Sequence, residues 1–210
     1  MACAIRRPHR LRAFSRLERR SLFGRYVELI IVEALVLIYT IGHSSRSLED
    51  FLAILREFRI ESLADIRSFP GSRKFPHFGK DNLSNVLTGE GIRYVWLSGL
   101  GGRRRSSPGF ESPNRGLENP GFRAYADYMG TPGFRDAIQK LMRLASESIT
   151  TCMCAEAVYW RCHRRLLSDY LTALGFDVVH ILGKSKSVGH ALTDGALVTS
   201  DRHVVYPAAR

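Results

Sequence analysis

The chain has 210 residues, of which 45% are hydrophobic, 24% charged and 10% aromatic. That balance is the average of globular proteins and excludes wholesale disorder, collagen-like repeats and low-complexity architecture. Thirty-one lysines and arginines against 20 acids leave a formal charge of +11, which favours an anionic small molecule or a nucleic acid as partner.

Residues 1–34 hold eight arginines and three glutamates, a local +5 that leaves +6 for the body. They read as a basic extension, disordered or upstream of the true start, or else as a nucleic-acid or targeting arm. The longest apolar stretch, Val27 to Tyr39, is 13 residues and contains Glu28 and Glu33. A membrane helix needs about 20 apolar residues, so no membrane partner is expected. Four cysteines, Cys3, Cys152, Cys154 and Cys162, are too few and too clustered for a disulfide framework, which points to a reducing, cytoplasmic setting.

From residue 35 the chain alternates short apolar runs with helical patterns. VLIYTI (36–41) is a continuous β-branched run, as a strand buried on both faces requires. Ser47 caps a helix in which Leu48, Phe51, Leu52, Leu55 and Phe58 recur at helical spacing. SLADI (62–66) is a second strand, followed by a turn-rich segment and a helix from Asp81 to Thr88. IRYVWL (92–97) is a third strand, with Trp96 expected in the core. Ser98 to Gly121 carries three prolines, six glycines and four arginines, a loop long enough to be functional or disordered. Helical patterns at 122–129 and 134–147 precede a fourth strand, SITTCMCAE. A helix from Cys162 to Leu174 ends at Gly175, and DVVHIL (177–182) is the fifth strand. Residues 183–210 are a weakly patterned extension of the same domain, 35–182. Alternation of this kind predicts a three-layer α/β fold, with a mainly parallel sheet of about five strands and helices on both faces.

The first four strands end in Gly42-His43-Ser44, Asp65-Ile66-Arg67, Gly99-Leu100-Gly101-Gly102-Arg103 and Cys154-Ala155-Glu156. In a parallel sheet these ends share one edge, where α/β proteins bind ligands. The densest segment runs from Cys152 through Cys154 and Glu156 to Arg161, Cys162, His163 and Arg164, which is a strand, a loop and a helix start. It admits a cysteine nucleophile, Cys154 or Cys162, with His163 as base and Glu156 as orienter. It also admits zinc on Cys152, Cys154, Cys162 and His163, although adjacent Cys162 and His163 rarely meet one ion. The plainest reading is buried small cysteines beside a Glu156–Arg164 ion pair that orders the loop.

Arg161 or Arg164 suits a phosphate or carboxylate fork. Upstream, in the segment that also holds Ser72, the cations Arg67, Arg73, Lys74 and His77 are interleaved with Phe69, Phe75 and Phe78. Cations of this kind hold a phosphate while rings stack on a base, and a solvated loop pinned by aromatics explains the same letters. Asp65 beside Arg67 reads as an internal ion pair, His43 as a base or a hydrogen-bonded structural residue, and His180 as a satisfied core histidine.

Taken together, YTIGHS (39–44), DIRSFPGSRKFPHF (65–78), GIRYVWLSGLGGR (91–103), Tyr128-Met129 and CAEAVYWRCHRRLL (154–167) resemble the domain of unknown function 488 family, over Val36 to Leu182. The resemblance implies an α/β domain of a cytoplasmic protein and carries no assigned reaction. It points to the glycines, His43, Ser44, Asp65, Arg67, Pro70, Ser72, Arg73, Arg103, Cys154, Glu156, Cys162, His163 and Arg164 of the strand ends, and Cys152 lies outside its pattern.

The resulting expectation is an enzyme acting on an anionic substrate, a nucleotide or nucleic acid. Cys154, Glu156, Cys162, His163 and His43 form its catalytic set. Gly42, Ser44, Asp65, Arg67, Ser72, Arg73, Gly101, Gly102, Arg103 and Arg164 bind substrate. No cofactor or metal is assigned, and the oligomeric state is not legible. A binding module without catalysis, or a zinc-stabilised structural domain, are the alternatives.

Overall fold

A computed structural model describes residues 36–71 and 74–208 of the chain. The basic segment 1–34, Ser72 and Arg73 lie outside the described residues.

Strand β1 (Leu37–Gly42) leads into helix α1 (Leu48–Glu57), whose start is set by the Ser47 side chain accepting the Asp50 N–H. Strand β2 (Ser62–Asp65), helix α2 (Lys80–Gly89) and strand β3 (Arg93–Trp96) follow. Two helices, α3 (Pro120–Met129) and α4 (Pro132–Glu147), each begin with proline behind a capping Asn119 or Thr131. Proline suits that position because the first helical N–H has no partner to lose. Strand β4 (Thr150–Cys154), helix α5 (Arg164–Ala173) and strand β5 (Asp177–Gly183) complete the repeating pattern.

The main sheet has six strands in the order β3-β2-β4-β1-β5-β6, where β6 is Lys186–Gly189. β1 to β5 are parallel and β6 is antiparallel to β5. The sixth strand comes from the segment whose letters carry little pattern: all four of its residues are exposed, so no alternation of buried and exposed positions marks it. Strands β7 (Leu197–Val198) and β8 (Val204–Val205) form a separate two-stranded pair. The fold is therefore α/β with a mostly parallel sheet.

Two apolar clusters use alternate positions of the strands, as a period of two demands. One gathers Ile38, Ala64, Cys152 and Cys154 with α3, α4 and α5, and the other gathers Ile41, Leu63 and Met153 with α1 and α2. Trp96, expected in the core, is 38% exposed. The reason is its place on β3, the edge strand, where Trp96 donates Nε1–H to the Arg67 carbonyl and carries Lys80 over its ring.

The chain direction reverses beside β4. From β1 it runs through β2 to the β3 edge, then returns to β4 and passes on to β5. In such sheets the crevice at the carboxyl ends beside the reversal is where ligands bind. Residues 98–121 are held rather than loose. Arg104 donates to the carbonyls of Gly99 and Gly101 and lies on the Tyr128 ring at 3.6 Å. Asn114 donates to Asp127, and Tyr206 donates its N–H to Asn114. Among the described residues no helix is long and apolar enough to cross a membrane.

Candidate functional site

The carboxyl end of β4 and the turn before α5 build the floor of the site. After Cys154 the chain passes through Glu156 and a single 3-10 turn, Tyr159–Arg161. Cys162 is then extended, with φ −130° and ψ 152°, so α5 starts at Arg164 and not at Cys162 as its letters predict. This extended residue brings the Cys162 and Cys154 sulfurs and His163 Nδ1 within 4.8 Å of one another. Nδ1 lies 3.5 Å from Cys162 Sγ and 3.8 Å from Cys154 Sγ. All three residues are buried. The hydrogen bond between the two thiols, with His163 adding to it, holds the Cys162 thiol well below its ordinary value. The same bond, then burial, pushes Cys154 up. Cys152 is buried in the apolar cluster and is not one of the converging residues, so the four-ligand set read from the letters reduces to three.

Gly102 lies against the His163 ring. A Cβ there would come within 2.4 Å of Nδ1 and 2.5 Å of Cγ, closer than atoms pack, so the position needs glycine. Gly101 is placed in the same way against Ser68.

Arg67 is fixed from three sides. Asp65, fully buried, takes Arg67 Nε–H at 2.9 Å and an NH2 hydrogen at 2.6 Å, as well as the Tyr94 hydroxyl at 2.7 Å. His43 sits 3.3 Å from Arg67 NH1, stacks on Phe78 at 4.3 Å and has Nδ1 2.9 Å from the Ser44 carbonyl. Because guanidinium only donates, His43 Nε2 accepts and Nδ1 carries the hydrogen. Burial, with Arg67 adding to it, lowers the His43 pKa to about 4, which agrees with a neutral ring. His43 and Asp65 are therefore positioning groups for Arg67, which lines the cleft while they do not.

The remaining predicted residues divide. Arg103 and Glu156 line the cleft, with Arg103 N–H bonded to the Ser68 hydroxyl and its guanidinium over Phe69 at 5.7 Å. Arg164 does not: it is 1% exposed and donates to the Glu156 carbonyl at 2.6 Å and the Ala157 carbonyl at 3.3 Å. It orders the loop through main-chain oxygens, with no Glu156 carboxylate contact among its bonds. Gly42 makes this possible, since a Cβ there would lie 1.7 Å from the Glu156 oxygen. Ser44 ties the same loop by donating its N–H to the Ala155 carbonyl. Neither lines the cleft. Its arginine is Arg161, three residues earlier on the exposed turn.

The cleft encloses about 1140 Å³ and brings Arg67, Arg103 and Arg161 to the Cys154–Cys162–His163 floor. Ser68, Phe69, Asn119 and Phe122 complete its walls, and of these four the spacing singles out only Phe69, as one of the rings interleaved with cations. The signal for Asn119 was present, as the cap before Pro120. Phe69 is 71% exposed, which is unusual for a large apolar ring.

A second polar cluster lies behind the first. Thr40 Oγ1 is 2.7 Å from His180 Nδ1, His180 Nε2 is 2.9 Å from His190 Nδ1, and His190 Nε2 is 2.9 Å from Asp169. Tyr206 hydroxyl and Thr193 N–H also donate to Asp169. A carboxylate only accepts, so every hydrogen in this chain points toward Asp169 and each histidine has one settled tautomer. Tyr159, on the turn before Cys162, stacks on His180 with centroids 3.5 Å apart. The reading of His180 as a satisfied core residue fits this geometry.

Comparison with known proteins finds no match among curated proteins and none among solved structures. A family model described as domain of unknown function DUF488 matches residues 47–171, more than half of the chain. The matched stretch contains Asp65, Arg67, Arg103, Cys154, Arg161, Cys162 and His163, and leaves out the Gly42-His43-Ser44 turn and His180. On this match the chain belongs to the DUF488 family.

Proposed function

We propose that the protein is an enzyme acting on a phosphate-bearing substrate, a nucleotide or a segment of nucleic acid, in the cleft at the carboxyl edge of the sheet. The observation that carries the reading is the meeting of three guanidinium groups, from three separate segments, with a Cys-Cys-His floor in one concavity. Arg103 and Arg161 face a single cleft carboxylate, Glu156, and Arg67 enters already paired with Asp65, so the cleft lining is left with an excess of positive charge that attracts anions. Arginine forks match phosphate oxygens in pairs. Phe69 supplies an exposed ring and Phe122 a partly buried one in the same walls, and stacking on an aromatic face contributes about 1–3 kcal/mol per base. The volume suits a ligand at the upper end of small-molecule size, since ordinary pockets span roughly 300–1,000 Å³.

The test is a thermal-shift series on the full chain with nucleotides, short single-stranded DNA and RNA, and phosphosugars. A ligand that binds only the folded state raises the melting temperature. The expected result is stabilisation by a nucleotide or oligonucleotide that is lost in Arg103→Ala and Arg161→Ala, followed by turnover of the stabilising ligand. No stabilisation by any phosphate compound overturns the reading. Binding with a steep salt slope and no turnover replaces it with a binding module.

A further inference from the structure

The trio on the cleft floor is poorly explained as a set of hydrogen bonds. His163 Nδ1 carries either one hydrogen or one lone pair, yet it touches both sulfurs, at 3.5 and 3.8 Å. The other ring nitrogen, Nε2, is buried with no partner, so nothing settles which nitrogen holds the proton.

The same distances have another meaning. In a tetrahedral zinc site, bonds of about 2.3 Å to sulfur and 2.0–2.1 Å to nitrogen place neighbouring S and N atoms about 3.6 Å apart and two sulfurs about 3.8 Å apart. The two S···N separations observed here are the lengths of tetrahedral edges. Two thiolates and an imidazole are also the soft and borderline donors that select zinc, and among the described residues no carboxylate joins them to favour magnesium or calcium.

We infer that Cys154 Sγ, Cys162 Sγ and His163 Nδ1 bind one zinc ion whose fourth position opens into the arginine-lined cleft. All three residues line that cleft, so the fourth position is available to water or to a phosphate oxygen. Three protein ligands plus one exchangeable site is the pattern of catalytic zinc, whereas structural zinc is closed by four. The adjacency of Cys162 and His163, unfavourable on paper, is overcome where the backbone changes from extended at Cys162 to helical at His163 (φ −58°, ψ −15°), which leaves Cys162 Sγ and His163 Nδ1 3.5 Å apart. Gly102 leaves room for the ring in that orientation. This inference deepens the proposed function and rests on the same cleft: the ion supplies a Lewis acid at the place where Arg67, Arg103 and Arg161 hold an anion.

The experiment uses the full chain, stripped with a chelator under reducing conditions and titrated with zinc alone and with cobalt alone. The expected result is one ion per chain, with the ligand-field bands of tetrahedral cobalt and a thiolate-to-cobalt charge-transfer band. Cys154→Ser, Cys162→Ser and His163→Ala should each weaken binding by more than the roughly 10- to 100-fold that loss of an outer partner costs. Cys152→Ser and Cys3→Ser should bind like the parent. Cys162→Asp retains a ligand atom and should take up cobalt with a weakened thiolate band, so a serine variant that fails to fold does not decide the matter. No ion above the level of His163→Ala, or equal loss in Cys152→Ser, overturns the site. The two readings fail separately: Arg103→Ala should keep the ion and lose nucleotide stabilisation. Ion uptake without any phosphate binding sinks only the proposed function, and phosphate binding without ion uptake sinks only the zinc.

Discussion

His163 and the pair His180–His190 are buried near α5, and their hydrogen-bond accounts are opposite. In the pair, all four ring nitrogens have partners and the chain ends on a fully buried carboxylate that also takes the Tyr206 hydroxyl. His163 has one nitrogen crowded by two sulfurs and another with nothing. A saturated buried network holds a fold together, because every donor has already met its acceptor. An unsaturated one opening into a charged cleft calls for a partner, and that requirement motivates the ion proposed above. The contrast shows why burial alone does not separate a core histidine from a site histidine.

Removing the end of the saturated chain should have the largest effect. Asp169→Ala leaves His190, Tyr206 and Thr193 without their acceptor and should cost about 3–5 kcal/mol in a denaturant titration. A loss below about 1 kcal/mol, the value of one ordinary hydrogen bond, would mean the network carries little of the fold. Next in size, Gly102→Ala drives a methyl group into the His163 ring. Overpacking of that kind costs about 1–3 kcal/mol, and the same variant should lose phosphate and metal binding together. If its binding is intact, the ring does not need the position described here.

A smaller effect separates the two clusters by pH. Burial first, then His190 and Arg164, lower the His180 pKa from 6.5 to about 3, so the folded state refuses a proton that the unfolded chain accepts. The unfolded state therefore binds more protons below pH 6.5, and this contribution to stability is present above that value and lost as pH falls. The slope is up to roughly 1.4 kcal/mol per pH unit. Denaturation midpoints compared at pH 7, 6 and 5 (settings chosen about the unperturbed histidine value) should shift less in His180→Gln than in the parent. Equal slopes in the two would remove His180 from the account. The smallest expected effect on stability is at the cleft rim: Arg103→Ala should change it by no more than about 0.5 kcal/mol, as exposed substitutions do, while abolishing nucleotide stabilisation. Destabilisation well beyond that would make Arg103 a structural residue.

Much of the frame was legible because it is written locally. Ser47 caps its helix where its letters say it should, and Gly175 has the φ of +93° that a helix C-cap requires. The strand ends that carry His, Arg, Gly and Cys could be placed on one edge because parallel strands share a direction. Arg161 and Arg164 show where such reading stops. They are the same residue type three positions apart, yet one lines the cleft and the other is buried against the Glu156 carbonyl. Which arginine turns inward depends on the space left by Gly42, more than a hundred positions away. Tyr159 is similar: its stacking on His180 joins the site turn to β5 through a contact that no periodicity announces. Trp160 beside it is 46% exposed.

The α/β class, the order of most elements, the Ser47 cap, the Gly175 stop and the family came from the sequence by itself, since these follow from hydrophobic period, capping chemistry and short motifs, all set within a few residues. Tertiary structure alone decided that Cys154, Cys162 and His163 converge without Cys152, that Arg161 and not Arg164 lines the cleft, and that residues 183–210 supply a sixth strand and the His190 link. Each of these depends on which distant segments pack together, and packing is selected by the shape and hydrogen-bond balance of the whole interior.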